Sequence, residues 1–517
     1  MPEYLHPGVH IEEIARGPRP IEGVATSTAA FLGETERGPL RPRLVTGYDE
    51  YLRWYGGVFA PDKFMPYAVN GFFENGGTRA FICRIVKRPA TVAIASFNDL
   101  RVAAVGAGSW GNRVFVEVKA STTRIPDPNN PGQSIPMGIR VQAAYWHSLP
   151  AGAAPFNPFD DPQPLRRPTL AEDFDDLSLN EASPDFFRKR VNGSSTLVVL
   201  DFIPAPAQPP NVPSAAGAML ADGGETAGLP ESVDFDGADP DPALRAGLEA
   251  LLLHDCREVA LVHAPGVTDL ATVKSIIGHC EKQRFRFAVI DCTPHVAAPD
   301  DPRTAIQESQ YAAFYYPWIE ISDPQASARK LVPPGGHVLG IYARADAERG
   351  VFKAPANEVV RGALDLEYRI DEATQATLNP KGVNAIRHFP GRGILLWGAR
   401  TLSSDPLWRY VSVRRLFIFL EASIYDGTQW VVFEPNDEKL WAHVKDTIRL
   451  FLRGQWRLGA MMGVTEEQAF FVTCDRTTMT QDDIVNGRLV CEIGIAPVRP
   501  AEFVIFRLFQ KTIEAQC

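Results

Sequence analysis

The sequence contains no Cys-x-x-Cys pair, no Gly-x-Ser-x-Gly elbow and no apolar run approaching the ~20 residues that a membrane span requires. Its seven cysteines, Cys83, Cys256, Cys280, Cys292, Cys474, Cys491 and Cys517, are scattered and odd in number. That usage predicts folding in a reducing cytoplasm, with neither a disulfide framework nor a zinc site. The opening Met1-Pro-Glu-Tyr-Leu-His6 has neither a basic segment nor an apolar one, so no secretion signal is predicted. A surplus of positive charge is missing too. The net charge of −10 argues against a nucleic-acid binder and fits a soluble, exposed outer surface.

What is present is chain enough for roughly three or four domains, at about 100–200 residues each, and 45% hydrophobic content to build their cores. The expected fold class is multidomain α/β. Residues 1–24 read as an N-terminal arm, 25–89 as an α/β part, 90–193 as a β-rich insertion, 194–389 as a central α/β domain and 390–517 as a C-terminal α+β domain. The central domain is anchored by a βαβ unit: a strand at 258–263, an amphipathic helix at 269–282 and a second strand at 285–291, closing right-handed around a parallel pair. Residues 312–321 form a further aromatic-rich strand candidate. The Pro-, Ala-, Gly- and acid-rich stretch 203–241 is expected to remain without firm order.

The two ends of the chain read as strands. Residues 488–495 alternate, with Leu489, Cys491, Ile493 and Ile495 on one side, and after Pro497 and Pro500 a β-rich, apolar run that carries Phe503, Ile505 and Leu508 resumes at 502–510. Near the start, Val9, Ile11 and Ile14 lie in a short alternating segment cut off by a Pro/Gly/Arg linker. A closing strand has an unpaired edge that must be satisfied. It either completes its own domain's sheet or is donated to a neighbouring subunit.

Chemistry is sought in three places. His254, His263 and His279 lie near Asp255, Asp269 and Asp291, but a hydrolase needs serine, histidine and aspartate to converge, and no serine on a nucleophile elbow is available. The glycine-rich Pro333-Pro-Gly-Gly-His337 and Phe389-Pro-Gly-Arg-Gly393 fit neither phosphate-binding pattern and read as turns. No histidine or cysteine pair has ligand spacing on one element. No catalytic, cofactor-binding or metal-ligating residue is assigned, and no cofactor is expected.

The third feature is a helix that Asn436 or Asp437 can cap and Gly459 can close. At 100° per residue, Leu440, Val444, Ile448, Phe451 and Leu458 form one face, flanked by Trp441 and Leu452. Lys439, His443, Arg449, Arg453 and Arg457 fall on the other, interrupted by Asp446. This stripe is either a solvated charged face or a docking surface for an acidic protein.

From Tyr315 to Phe503 the chain resembles the sheath proteins of contractile phage tails and related bacterial contractile injection particles. The residues carrying the likeness are Tyr315-Tyr-Pro-Trp318, Val332-Pro-Pro-Gly-Gly-His337, Arg349-Gly-Val-Phe-Lys-Ala-Pro-Ala-Asn357 and Leu378-Asn-Pro-Lys-Gly-Val-Asn-Ala-Ile-Arg387. Further on come Pro390-Gly-Arg-Gly393, Trp397-Gly-Ala-Arg-Thr401, Arg414-Arg415, Val432-Phe-Glu-Pro-Asn436 and Ala496-Pro-Val-Arg-Pro-Ala-Glu-Phe503. Pro7-Gly-Val9 and Ser109-Trp-Gly-Asn112 fit the same family. The resemblance implies a structural protein, not an enzyme: hexameric rings stacked helically around an inner tube, shortening on triggering to drive the tube through a target envelope. It implies a central domain subtilisin-like in fold only, and terminal arms that join a neighbour's C-terminal sheet. Those arms would carry Val9, Ile11 and Ile14 at one end and Phe503, Ile505 and Leu508 at the other. It places Lys439, His443, Arg449, Arg453 and Arg457 on a tube-facing helix. Implied partners are other copies of the chain, the inner tube protein, and baseplate and terminator or cap proteins, with no nucleic acid and no membrane insertion. The implied location is a phage tail or tail-like particle built from protein made in the bacterial cytoplasm. Two other readings compete: a non-contracting tube or baseplate component, and an α/β hydrolase.

Overall fold

The computed structural model describes residues 20–507 except 128–129, 131, 150–156, 161–166, 205–211, 213–214, 298–301, 304–305 and 324–327. Val9, Ile11, Ile14 and Leu508 therefore lie outside the described residues. The chain divides into two compact units, one of Ala25–Arg414 and one of Arg415–Cys517 together with Met1–Val24.

The larger unit is built on a nine-stranded sheet in the order Arg43–Val45, Ala80–Arg84, Ala29–Gly33, Leu261–His263, Phe287–Asp291, Ala312–Tyr316, Val383–Phe389, Gly393–Leu396, Glu358–Val359. From Ala80–Arg84 through Val383–Phe389 neighbouring strands run parallel, and antiparallel strands close both edges. Every residue of the strands Ala29–Gly33, Ala80–Arg84, Phe287–Asp291 and Ala312–Tyr316 is buried, as expected of a parallel sheet covered on both faces. The expected βαβ unit is present: Leu261–His263 pairs with Phe287–Asp291 across the helix Leu270–Gln283, whose first turn Asp269 caps by accepting from Thr272 N at 2.9 Å.

Three expectations are corrected here. The aromatic run 312–321 is two strands, Ala312–Tyr316 and Ile319–Ser322, in different sheets. Pro317 between them has no N–H to continue a ladder. Pro333-Pro-Gly-Gly-His337 is not a turn but the start of the helix Gly335–Arg349. A Cβ on Gly336 would stand 2.4 Å from the carbonyl oxygen of Ala68, and one on Gly340 2.4 Å from that of Phe72. The two glycines, one turn apart, let this helix lie directly on the helix Met65–Glu74. Finally, the stretch 203–241 is ordered over much of its described length. Ala215–Met219 pairs along Val114–Ala120, and the helix Ser232–Asp236 carries a reciprocal Glu231/Asp234 capping box. Small residues that cannot build a core of their own add a strand to a sheet already formed.

That sheet, in the order Leu170–Leu177, Ile139–Tyr145, Val114–Ala120, Ala215–Met219, is the heart of the β-rich insertion. Val116, Val118, Val141, Ala143 and Tyr145 are buried with Val102, Leu200 and Phe187 in one apolar cluster. Its Tyr145 hydroxyl and His147 Nδ1 reach Glu36, at 2.7 and 2.6 Å, and Glu36 also accepts from Gly57 N at 2.9 Å. Burial opposes the charge on Glu36, but those hydrogen bonds together hold its carboxyl below the ordinary glutamate value.

Candidate assembly interface

The histidine and aspartate candidates mostly separate. Asp269 is a helix cap, and His279 Nε2 accepts from Arg286 at 2.6 Å. Burial, with Arg286 and Lys282 adding to it, pushes the His279 pKa down to about 3. Only His263 and Asp291 meet, and both are fully buried. His263 Nδ1 donates to Val289 O at 2.9 Å, and its Nε2 faces Asp291 Oδ2 at 3.5 Å. Asp291 accepts from Gly335 N at 2.8 Å and Gly266 N at 3.0 Å. Burial, the largest influence, pushes the Asp291 carboxyl up from its ordinary value against the pull of His263 and those N–H groups. Among the described residues no serine hydroxyl bonds to either side chain. The pair joins the end of one strand to the start of a helix, an anchoring role.

One glycine pattern escaped the sequence reading. Gly106-Ala-Gly-Ser-Trp-Gly111 has dinucleotide-type spacing and follows the strand Leu100–Ala104. It opens a single 3-10 turn, Ser109–Arg113, rather than a helix. A Cβ on Gly106 would strike the Gly38 carbonyl oxygen at 2.2 Å and one on Gly111 the Ala93 Cβ at 2.7 Å, so these glycines serve packing.

The smaller unit holds the expected helix, Glu438–Arg457. Asp437 caps it by accepting from Leu440 N at 2.8 Å, and Asn436 accepts from the Trp441 indole at 2.7 Å. Trp441, Val444, Thr447, Ile448, Phe451 and Leu452 are buried. Trp441 and Leu452 thus belong to the core face, not its flank. Leu458, expected on that face, is 68% exposed. The helix ends at Arg457, and Gly459, with φ of +91°, turns the chain away.

The basic stripe is divided by its contacts. Arg449 and Arg453 both bind Glu466, the latter at 2.7 Å, and these hydrogen bonds, Arg453's first, hold the Glu466 carboxyl below its ordinary value. His443 turns to Trp430, ring centroids 4.5 Å apart, and its Nε2 is buried without a hydrogen-bond partner. Lys439 and Arg457 are exposed. Neither has an ion-pair partner among the described residues.

Against the helix packs a sheet of two strands only among the described residues, Phe470–Thr473 and Glu492–Ile495. The second is shorter than the expected 488–495, because the Arg488 side chain and N–H are taken by Asp482 and Asp483. Phe470 and Val472 are buried while Phe471 between them is 54% exposed, the alternation of a strand with one covered face. Beyond Pro500 the described residues, 501–507, form no strand. Phe503, Val504, Ile505 and Phe506 are 73%, 68%, 78% and 84% exposed. Four consecutive large apolar side chains are thus exposed just past a sheet that has two strands among the described residues. Phe433, missed in the sequence, is fully exposed on a backbone φ of +70°; only its position in Val432-Phe-Glu-Pro-Asn436 marked it.

The sequence profile of the phage tail sheath protein central domain matches residues 242–402, and that of the phage tail sheath C-terminal domain matches residues 403–511. Together they span more than half of the 517 residues. A putative prophage major tail sheath protein of Pseudomonas aeruginosa is 27% identical over 276 residues, 51% of this chain and 69% of that protein. The tail sheath protein of Vibrio phage KVP40 is 26% identical over 197 residues, 37% of this chain but only 28% of that longer protein. In three dimensions, the PVC sheath complex of an extracellular contractile injection system, in its contracted state, has a similar fold, with a TM-score of 0.58, 21% identity and 99% of both chains covered. So has a sheath tail protein of Listeria innocua, at a TM-score of 0.56 and 11% identity, covering 93% of this chain and 96% of that one. No catalytic function is indicated by any of these relatives. With matches running unbroken from residue 242 to residue 511, the chain belongs to the phage tail sheath protein family.

Proposed function

We propose that this chain is the structural subunit of a contractile sheath, polymerising as hexameric rings stacked around an inner tube and shortening to drive that tube through a target envelope. The observation that carries the mechanism is the exposed apolar tail at Phe503–Phe506, following a sheet that has two strands among the described residues. In this reading the arm bearing Phe503, Ile505 and Leu508, and the arm bearing Val9, Ile11 and Ile14, each pair with a neighbouring subunit's sheet. The Pro/Gly-rich linkers at 15–20 and 496–500 let subunits pivot while strand pairing survives. Shortening is driven by subunit surface buried in the contracted state, with no nucleotide and no catalytic step.

The central sheet is read as subtilisin-like in fold only, its buried His263–Asp291 pair serving as an anchor, and the domain boundaries as 24/25, 89/90, 193/194 and 389/390. Baseplate and cap proteins are the expected partners at the two ends of the polymer. The particle is a phage tail or tail-like injection device whose subunits are made in the bacterial cytoplasm. No helix among the described residues is long and apolar enough to cross a membrane.

Negative-stain microscopy of the expressed chain tests this reading. Long hollow cylinders that occur in two lengths are expected. Cylinders or rings of one fixed length point instead to a tube or baseplate component, and discrete monomers sink the proposal.

The helix Glu438–Arg457 is assigned to the tube. Because Arg449 and Arg453 are engaged with Glu466, the charges tested are Lys439 and Arg457. The double variant Lys439→Glu/Arg457→Glu is expected to polymerise normally and to lose roughly tenfold or more in tube association at low salt, since each exposed pair contributes up to about 1 kcal/mol. Co-purification of tube protein at the wild-type ratio across salt concentrations would remove this helix from the tube contact.

A further inference from the structure

Of the described cysteines, Cys83, Cys256, Cys280 and Cys292 are at most 2% exposed in the larger unit. Cys474 and Cys491 are different. They lie 17 positions apart, outside any motif, yet the antiparallel register brings them face to face. Phe470 pairs with Ile495 and Thr473 with Glu492, and the same register carried one residue past the last strand pair sets Cys474 opposite Cys491. The N–H of Ala496 donates to the carbonyl of Ala469 at 2.9 Å, which makes Ala469 and Ala496 a hydrogen-bonded pair. Alternation from there makes Cys474 and Cys491 a non-hydrogen-bonded pair, for which opposed Cα atoms stand about 4.5 Å apart and side chains leave the same face. That separation lies inside the range a disulfide spans.

The surroundings favour reaction over inert packing. The two thiols act on each other: the interaction with Cys491 holds the Cys474 thiol below its ordinary value, and the same interaction, with burial, pushes the Cys491 thiol up. Cys474 is buried with Trp441 and Met479, while Cys491 is half-buried and reachable from solvent. Lys445 on the neighbouring helix draws both thiols down as a lesser influence, which at Cys491 does not offset Cys474 and burial.

We infer that Cys474 and Cys491 are a redox-sensitive pair that closes to a cross-strand disulfide when the protein meets a disulfide oxidant. Once the pair has lost a proton, the more exposed Cys491 sulfur attacks one sulfur of a small-molecule disulfide such as oxidised glutathione, breaking its S–S bond and releasing one glutathione thiolate. Cys474 then attacks the Cys491 sulfur of the mixed disulfide and releases the second. Two protein thiols are oxidised, two glutathione sulfurs are reduced, and the two protons pass to the released thiolates. The bond fixes the register of the strand pair Phe470–Thr473 and Glu492–Ile495 at its far end. Its formation does not depend on the sheath reading; only its mechanical use, in a sheet whose edges carry neighbouring strands, does.

The full chain is incubated with oxidised glutathione near neutral pH, alkylated, digested and mapped by mass spectrometry, beside Cys491→Ser. The expected result is a peptide linking Cys474 to Cys491, loss of two alkylatable thiols, and a urea midpoint for the smaller unit that rises on oxidation and falls back with reductant. Cys491→Ser is expected to show none of these, with Cys474 alkylated as in the reduced protein. Full alkylation of both residues after oxidant treatment, glutathione retained on Cys491 with Cys474 free, or a link through any other cysteine overturns the inference. Polymerisation is scored separately, so failure of the sheath reading leaves the thiol result intact.

Discussion

Deleting residues 501–517 is expected to leave a subunit that folds normally and forms no polymer. Within one subunit the described part of this segment contributes almost nothing to a core: Phe503, Val504, Ile505 and Phe506 are all more than two-thirds exposed. As a strand paired to a neighbour, the same residues would bury one alternate face, two large side chains, at about 1.5–3 kcal/mol each. Each ladder hydrogen bond adds roughly 0.5–1.5 kcal/mol net. A single such link is of modest strength, but every subunit makes one, and in a lattice the links act together. Circular dichroism melts should superimpose on those of the full chain, while negative-stain fields should show no cylinders. Cylinders of ordinary length from the truncated chain would end the strand-exchange account. A truncated chain that fails to fold would show that the tail belongs to its own subunit, which is the other reading of a closing strand.

Asp291→Ala is expected to destabilise the larger unit by about 3–5 kcal/mol. Its carboxyl is the acceptor for two backbone N–H groups, Gly335 at the start of one helix and Gly266 in the turn after a strand, and it faces the ring of His263. Removing it takes the acceptor from the buried Gly335 N–H and the partly buried Gly266 N–H, each costing about 1–3 kcal/mol, and leaves the buried His263 ring without its facing carboxylate. Asp291→Asn retains the volume and one acceptor oxygen, so its cost should be nearer 1–3 kcal/mol. Urea denaturation followed by the fluorescence of the larger unit ranks the two. A catalytic aspartate would give the reverse signature, with full stability in both variants and some hydrolytic turnover to lose. An Ala variant that melts with the wild type would show that other contacts hold the start of that helix.

The two predictions differ in how far they could be read without coordinates. The tail is visible in the sequence because a run such as Phe503-Val-Ile-Phe506 has to be buried somewhere, and Pro497 and Pro500 separate it from the strand before it. The parallel core was equally legible: the βαβ unit around the helix Leu270–Gln283 follows from hydrophobic periodicity and turn residues alone. The Glu438–Arg457 helix was legible for the same reason, and of the two caps the sequence allows, Asn436 and Asp437, it uses Asp437. What failed were readings in which a local pattern has two outcomes. Two adjacent glycines can end a helix or begin one, and here the close approach of the helix Met65–Glu74 decided in favour of beginning. The low-complexity stretch containing Ala215–Met219 has too little apolar area to order itself, and it orders because Val114–Ala120 offers an edge.

Composition and periodicity by themselves determined the class of this protein, a mixed α/β chain, and the order of its motifs carried the resemblance to sheath proteins. Tertiary structure alone decided which distant side chains meet. It turned His263 and Asp291 into a buried anchor, gave Arg449 and Arg453 to Glu466, moved Trp441 and Leu452 into the core, and set Cys474 opposite Cys491. The physical reason is that periodicity is a property of neighbours along the chain, whereas register, burial and charge pairing depend on which strand or helix arrives from far away.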